Sequence, residues 1–347
     1  MSQATPMPLL KLAGLSKRYR AEDELAVSDI HLELQEGEIL ALLGPSGCGK
    51  TTTLRMSAGF ERPDTGDILL HGDSVLDLPT RERNIGVVFQ DYALFPNLNL
   101  LRNVMFGMKH VARSDRAKRA EEWLTLVGLK KYVRRMPDEL SGGQQQRAAL
   151  ARTLAAEPKL VLLDEPFSNL DAALRESTRL EVRHLLKKAG TTAILVTHDQ
   201  AEALSFADKV GVMESGRLQQ LDTPESVYHR PRTAFVAEFL GHTNLLECQA
   251  EGLTATSPLG PITLATPGQG QVQVSLRPEH LTLSPVETEE AGNCVVESRE
   301  FRGHDNFYRV RDESQEYQVL APFNVVLEAG TRARLTPCQP GVILDLG

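Results

Sequence analysis

The stretch "EILALLGPSGCGKTTTL", residues 38–54, decides the fold. Its first half is a short, wholly apolar run, which reads as a strand covered on both faces of a parallel sheet. Its second half opens a helix over 50–58 that Gly59 stops. Between them, Gly44, Pro45, Ser46, Gly47, Cys48, Gly49, Lys50 and Thr51 satisfy GxxxxGK[ST] directly after a strand and before a helix, the context that gives this motif its meaning. Glycines let successive amides curl around phosphate oxygens as a nest. Lys50 adds a compact positive charge at the β- and γ-phosphates, and the Thr51 hydroxyl is placed to ligate Mg²⁺. Thr52, next in the first helical turn, is counted with the loop.

A phosphate loop needs acids beside it, and "KLVLLDEP" at 159–166 supplies them. Asp164 and Glu165 fall at the carboxyl end of a buried strand, where open parallel sheets bind ligands. Asp164 is expected to hold the metal and Glu165 to orient or deprotonate the attacking water. "IGVVFQ" (85–90) and "TTAILVTHD" (191–199) are two further strands, ending in the lone polar residues Gln90 and His198. Each alone reads as a strand cap. At the strand end shared with Lys50 and Asp164, Gln90 is a candidate for Mg²⁺ or the water and His198 for the γ-phosphate. Tyr19, an aromatic beside the first strand, stacks on adenine or packs on the core; the sequence leaves the two even.

"LSGGQQQR" (140–147) is a second anomaly. Ser141 is a good N-cap, yet two glycines follow in the first turn, each destabilising a helix by roughly 1 kcal/mol against alanine. They give a close approach to bare amides that attract an anion, but no lysine follows to hold it. The stretch reads as half of a site.

Composition bounds the rest. A chain of 347 residues with 41% hydrophobic and 24% charged residues makes about two soluble globular domains. No apolar run approaches the ~18 residues of a membrane span, and "MSQATPMPLL" lacks the basic flank and long apolar stretch of a signal peptide. The four cysteines form no CxxC pair, so neither zinc nor a disulfide framework is expected, and the cytoplasm is the default compartment. A net charge of −8 argues against nucleic acid as partner. The basic clusters at 113–119 and 130–135 read as solvated faces.

The character changes near residue 240. Up to there buried strands alternate with helices, including one over 171–189, and residues 92–156 read as an inserted helical subdomain without a strand. Beyond "GHTN" (241–244), Thr, Val, Gly and Pro with short alternating runs predict a small β domain over 243–347.

Taken in order, GPSGCGKT, Gln90, LSGGQ, LVLLDE, "SNLD" (168–171) and His198 resemble the ATPase subunits of ABC transporters over residues 1–240. The resemblance implies an α/β, P-loop (RecA-like) nucleotide-binding domain with an inserted helical subdomain, followed by a small C-terminal β-barrel, TOBE-like domain. It implies MgATP as the nucleotide and a homodimer in which Ser141, Gly142, Gly143 and Gln144 bind the γ-phosphate held by the partner's loop. Tyr19 looks like the adenine-stacking residue and Asp171 like the acid facing the partner. Asn169 departs from the small residue expected at its position. "SLRPEHLTL" (275–283) resembles the start of a TOBE domain, and "TRERNIGVVFQDYALFPNLNLLRNVMFGM" (80–108) resembles importers of ferric iron, polyamines, sulfate and phosphonates. Separate permease subunits, a periplasmic or extracellular solute-binding protein and a peripheral place on the cytoplasmic face of the inner membrane follow from the resemblance, with ferric iron as first choice of cargo. The alternative from another class is a chromosome-associated ATPase of the SMC type. That type needs a long coiled coil between the two phosphate motifs, and only about 110 residues without sustained heptads separate Lys50 from Asp164.

Overall fold

The computed structural model describes residues 7–22, 24–286 and 292–345; the first six residues of the N-terminal stretch considered above lie outside them. The chain divides into two compact units, 1–224 and 225–347.

The first unit begins with β1 (Leu10–Lys17), β2 (Val27–Leu34), β3 (Ile39–Leu43) and α1 (Lys50–Ala58). Then come β4 (Thr65–Leu70), β5 (Asp73–Ser74), β6 (Ile85–Val88), α2 (Leu100–Gly107), α3 (Arg116–Leu126) and α4 (Gly142–Leu154). It closes with β7 (Leu160–Asp164), α5 (Ala172–Lys188), β8 (Thr192–Thr197), α6 (Gln200–Phe206), β9 (Lys209–Glu214) and β10 (Arg217–Asp222).

Two sheets result. The central one has the order β10-β9-β3-β8-β7-β6 and is parallel except for the edge strand β10. Every residue of β3 and β8 is buried, as strands covered on both faces must be. The other sheet, β2-β1-β4-β5, is antiparallel, and β2 alternates buried and open residues from Ile30 to Leu34, so one of its faces lies in the core. The two sheets share a core in which Leu10, Leu12, Ile30 and Leu34 meet Leu40, Leu42, Leu54 and Ile194. The helices α2, α3 and α4 occupy the stretch 92–156, which holds no strand.

The three strands that end at the expected site are shorter than their apolar runs, and each stops for a local reason. β6 ends at Val88, leaving Gln90 in a turn where Tyr92 and Ala93 adopt positive φ (61° and 46°). β7 ends at Asp164 because Glu165 turns into the left-handed region at φ 43°. β8 ends at Thr197 because Asp199 is already the N-cap of α6, its carboxylate accepting the Glu202 amide at 2.9 Å. Helix α1 ends on left-handed Gly59, and buried Arg83 donates to the last-turn carbonyls of Met56 (3.0 Å), which also accepts the Gly59 amide, and Ser57 (3.2 Å).

The second unit starts with α7 (Pro224–His229) and α8 (Ala234–Phe239), followed by β11 (Asn244–Ser257), β12 (Gly260–Leu276) and β13 (Leu281–Pro285). Then come β14 (Cys294–Phe301), β15 (Asp305–Arg311), β16 (Glu316–Pro322), β17 (Arg332–Pro337) and β18 (Val342–Ile343). Its strands form two sheets, β11-β12-β18 and β13-β17-β14-β15-β16, around Leu246, Ile262, Leu276, Tyr308, Tyr317 and Leu335. The boundary lies 17 residues before the composition change at Gly241, and Arg277 is the reason. This guanidinium, 2% exposed, donates to the carbonyls of Tyr228, Ala237, Gly241 and His242 and lies 4.2 Å over the Tyr228 ring. Residues 225–242 are therefore bound into the β unit despite their helical character.

Candidate functional site

The loop from Gly44 to Thr51 is built around its glycines. Gly49 sits at φ 101°, and a Cβ there would lie 2.4 Å from the Ala26 carbonyl oxygen. Gly44 has the same problem against the carbonyl of Met213, at 2.3 Å. The missing Cβ atoms let the loop lie directly against β9 and the backbone that enters β2. Gly47, at φ 82°, has nothing within 4 Å of an added Cβ. Lys50, 6% exposed, donates to the carbonyls of Gly44 (2.8 Å) and Pro45 (2.9 Å) and approaches Cys48 Sγ at 3.6 Å. Its ammonium is thus held inside the mouth of the loop.

Parallel pairing brings β7 and β8 alongside β3, so their carboxyl ends deliver acids and a histidine to that mouth. The Thr51 hydroxyl faces Asp164 Oδ1 at 3.5 Å. Burial, then the neighbouring Glu165 charge, pushes the Asp164 carboxyl above its ordinary value, against the pull of Arg55, Thr51 and Lys50. A cation beside it relieves both. Among the described residues no group of three or more His, Cys, Asp or Glu side chains forms a metal cluster. Mg²⁺ is commonly held by one or two protein oxygens plus phosphate and water, so a Thr–Asp pair facing a phosphate loop fits that ion.

Glu165 is fixed by its surroundings. Its amide donates to the Val196 carbonyl at 3.0 Å, and Ser168 Oγ donates to its carbonyl at 2.9 Å. Its side chain meets His198 Nδ1 at 3.2 Å. Lys50, Thr51, Asp164, Glu165 and His198 are therefore one cluster. Gln90 stands apart from these contacts, in an exposed turn, where its main-chain carbonyl accepts a hydrogen bond from Asn169 Nδ2 at 2.8 Å. Tyr19 is 52% exposed and its hydroxyl lies 3.3 Å from Thr52 Oγ1, so of its two readings packing into the core is set aside.

The contacts of the signature residues run elsewhere. Ser141 is the N-cap of α4, and its amide donates to Gln144 Oε1 at 3.1 Å. A Cβ on Gly142 would meet Leu170 at 3.0 Å, and one on Gly143 would meet Leu174 and Thr178 at 3.2 Å. Part of the reason for these glycines is thus intramolecular, since they let α4 lie close against the start of α5. Asp171 is the N-cap of α5, accepting the Leu174 amide at 2.9 Å. Sequence reasoning missed Thr197, Glu202 and Arg175, which lie directly behind the Glu165–His198 pair. Arg175 and Glu202 offered only charge within helical segments, and Thr197 only a hydroxyl at a strand end.

Residues 27–168 match the ABC transporter family and residues 274–339 the TOBE domain. A spermidine/putrescine import ATP-binding protein of Acidothermus cellulolyticus is 46% identical over 300 residues, 82% of this chain and 78% of that one. The chain belongs to the ABC-transporter ATP-binding family. This ABC ATPase is also 44% identical over 320 residues to an Fe(3+) ions import ATP-binding protein of Pectobacterium atrosepticum, covering 90% of this chain and 92% of that one. Among solved structures, it resembles an ATP-binding cassette described as the dimeric post-hydrolysis state bound to ADP and Pi, with TM-score 0.55 and 32% identity over 62% of this chain and 98% of that one. It is an ATPase of the importer type carrying a TOBE domain, and it binds ATP with Mg²⁺. No helix among its described residues is long and apolar enough to cross a membrane.

Proposed function

We propose that this ABC ATPase works as a head-to-tail homodimer on the cytoplasmic face of the inner membrane. There it drives import of ferric iron through separate permease subunits served by a solute-binding protein, without a nucleic-acid partner. The site reading rests on one observation, the Glu165 main chain fixed on Val196 at the end of β7 with its carboxylate 3.2 Å from His198 Nδ1. In this reading the amides of Gly44–Thr51 and the Lys50 ammonium bind the β- and γ-phosphates, and Tyr19 stacks on adenine. Thr51, Asp164 and Gln90 hold Mg²⁺, which when bound neutralises charge on the β- and γ-phosphate oxygens. Glu165 orients the attacking water and takes its proton, while His198 keeps the carboxylate aimed and reaches the γ-phosphate. Ser141, Gly142, Gly143 and Gln144 complete the partner's site through the bare amides of α4, and Asp171 faces that partner.

The iron assignment is supported by the extent of likeness to the Pectobacterium protein, which covers 90% of this chain and so most of its C-terminal unit. A polyamine cargo is the second reading, supported by the 46% identity to the Acidothermus protein. Uptake of radiolabelled ferric iron and putrescine in cells deleted for this chain separates them. Loss of iron uptake, restored by the wild-type chain and not by Glu165→Gln, is the expected result. Loss of putrescine uptake alone overturns the cargo.

A further inference from the structure

Behind the Glu165–His198 pair lies a buried carboxyl that the reaction as described does not use. Glu202, in the first turn of α6, is 4% exposed. Its Oε2 accepts the hydroxyl of Thr197, and that hydroxyl in turn accepts the Asp199 amide at 3.0 Å. The direction of the chain is set: Thr197 receives one proton from the backbone and so gives its own to Glu202. Helix α5 faces this carboxyl with two guanidinium groups. Arg175 donates to the Leu170 carbonyl at 2.9 Å and lies 3.6 Å from Asp199, and Arg179 adds a second positive charge. The Nε atoms of both arginines and Glu202 Oε1 are buried with no hydrogen-bond partner. A cavity of about 90 Å³, bounded by Glu165, Ser168, Arg175, Thr197, His198 and Glu202 among others, joins the pair to this carboxyl.

We propose that Glu202, as a carboxylate, is a positioning residue for hydrolysis: it holds the Thr197–Asp199 turn and, through Arg175, the loop bearing Leu170, so that His198 stays in register with Glu165. This rests on the reading of Glu165 and His198 given above. The charges facing Glu202 are Arg175 and Arg179 from α5, Asp199 from its own helix start, His198 beyond β8 and Glu165 beyond β7; the strand β3 beneath α6 offers only apolar side chains. Burial, opposed by the Thr197 bond, raises the Glu202 carboxyl to about 7. Its charge therefore changes within the working range of pH. When it is neutral, its hold on the arginines and on the Thr197 proton weakens, and the turn carrying His198 loosens.

The test is Glu202→Gln, which keeps the shape and one acceptor but never carries the charge, measured between pH 6 and 8. The variant should melt no lower than wild type at pH 8 and bind ATP normally, because it touches no phosphate ligand. Its kcat should fall about tenfold at pH 8 with KM unchanged. The part of the wild-type rise in kcat between pH 6 and 8 that belongs to Glu202 should vanish. Thr197→Val, which removes the bridge but leaves the carboxyl, should lower kcat in the same way. Wild-type kcat in Glu202→Gln, or a loss equal at every pH, overturns the proposal. Near-normal turnover in Glu165→Gln would instead remove the site reading beneath it, so the two failures are distinguishable.

Discussion

Alanine at two glycines of one loop should give very different proteins. At Gly47 the backbone is left-handed but an added Cβ meets nothing within 4 Å. The only penalty is conformational, about 1–2 kcal/mol. At Gly49, φ is 101°, and the Cβ would lie 2.4 Å from the Ala26 oxygen and 3.2 Å from Val27 Cγ2. That oxygen belongs to the backbone leading into β2, so it cannot rotate away; the strand or the loop must move. Strain plus overpacking comes to about 3–5 kcal/mol. For a unit of this size each kcal/mol lowers Tm by roughly 2–4 °C. Gly47→Ala should therefore melt only a few degrees low, and Gly49→Ala on the order of 10 °C low with MgATP affinity lost as the first amides of α1 are displaced. Calorimetry with nucleotide titration reads both quantities. Two variants melting within a couple of degrees of each other would refute the idea that Ala26 fixes this loop.

Glu165→Gln should bind MgATP with near wild-type affinity and hydrolyse it orders of magnitude more slowly, as steady-state phosphate release against nucleotide affinity will read. Chains carrying Lys50→Ala and Ser141→Arg should each be inactive, and mixing them should restore at most roughly a quarter of wild-type hydrolysis, since half the dimers are mixed and each has one sound site. Ser141 is chosen because it is exposed, whereas any side chain at Gly143 strikes Leu174 and Thr178 of its own chain. A mixture that gains nothing would place the signature loop in its own chain's site. The raised Glu202 carboxyl binds its proton more tightly folded than unfolded. Its contribution to stability is therefore present below pH ~4.5 and lost as pH rises towards about 7, a swing of at most about 3 kcal/mol that Glu202→Gln should abolish in pH-dependent melting. Arg277→Met should lower the melting of the C-terminal unit by about 3–5 kcal/mol by orphaning buried carbonyls while ATP affinity stays unchanged.

Legibility in the sequence followed locality. Helix α1 over 50–58 and the strand before it were readable because apolar run, glycine and lysine are contiguous, and α5 because Asp171 and Gly190 bracket its pattern. The sheet β2-β1-β4-β5 went unread, since strands such as β4 (TGDILL) and β1 (LKLAGLSK) show no clean alternation. Strand ends were overestimated by one or two residues wherever the next residue left the extended region, as Glu165 does at φ 43°. The departure at Asn169 was visible, but its partner, the carbonyl of Gln90 79 residues earlier, was not. Glu202 was invisible for a related reason: Thr197 is close in sequence, but the two arginines that face the carboxyl, Arg175 and Arg179, become its neighbours only once α5 and α6 pack.

The seat of Arg277 has a consequence for how such a chain can be cut and recombined. The helices α7 and α8 read as the tail of the ATPase unit, yet their carbonyls are held by a residue on the far side of the TOBE boundary. A fragment ending near residue 242 would keep those helices and lose their anchor, leaving the carbonyls of Tyr228, Ala237 and Gly241 without the Arg277 guanidinium. A fragment ending at Pro224 would not. An exchange of C-terminal units between relatives would likewise carry its own helix pair with it, making the transferable module about twenty residues longer than the β strands alone suggest.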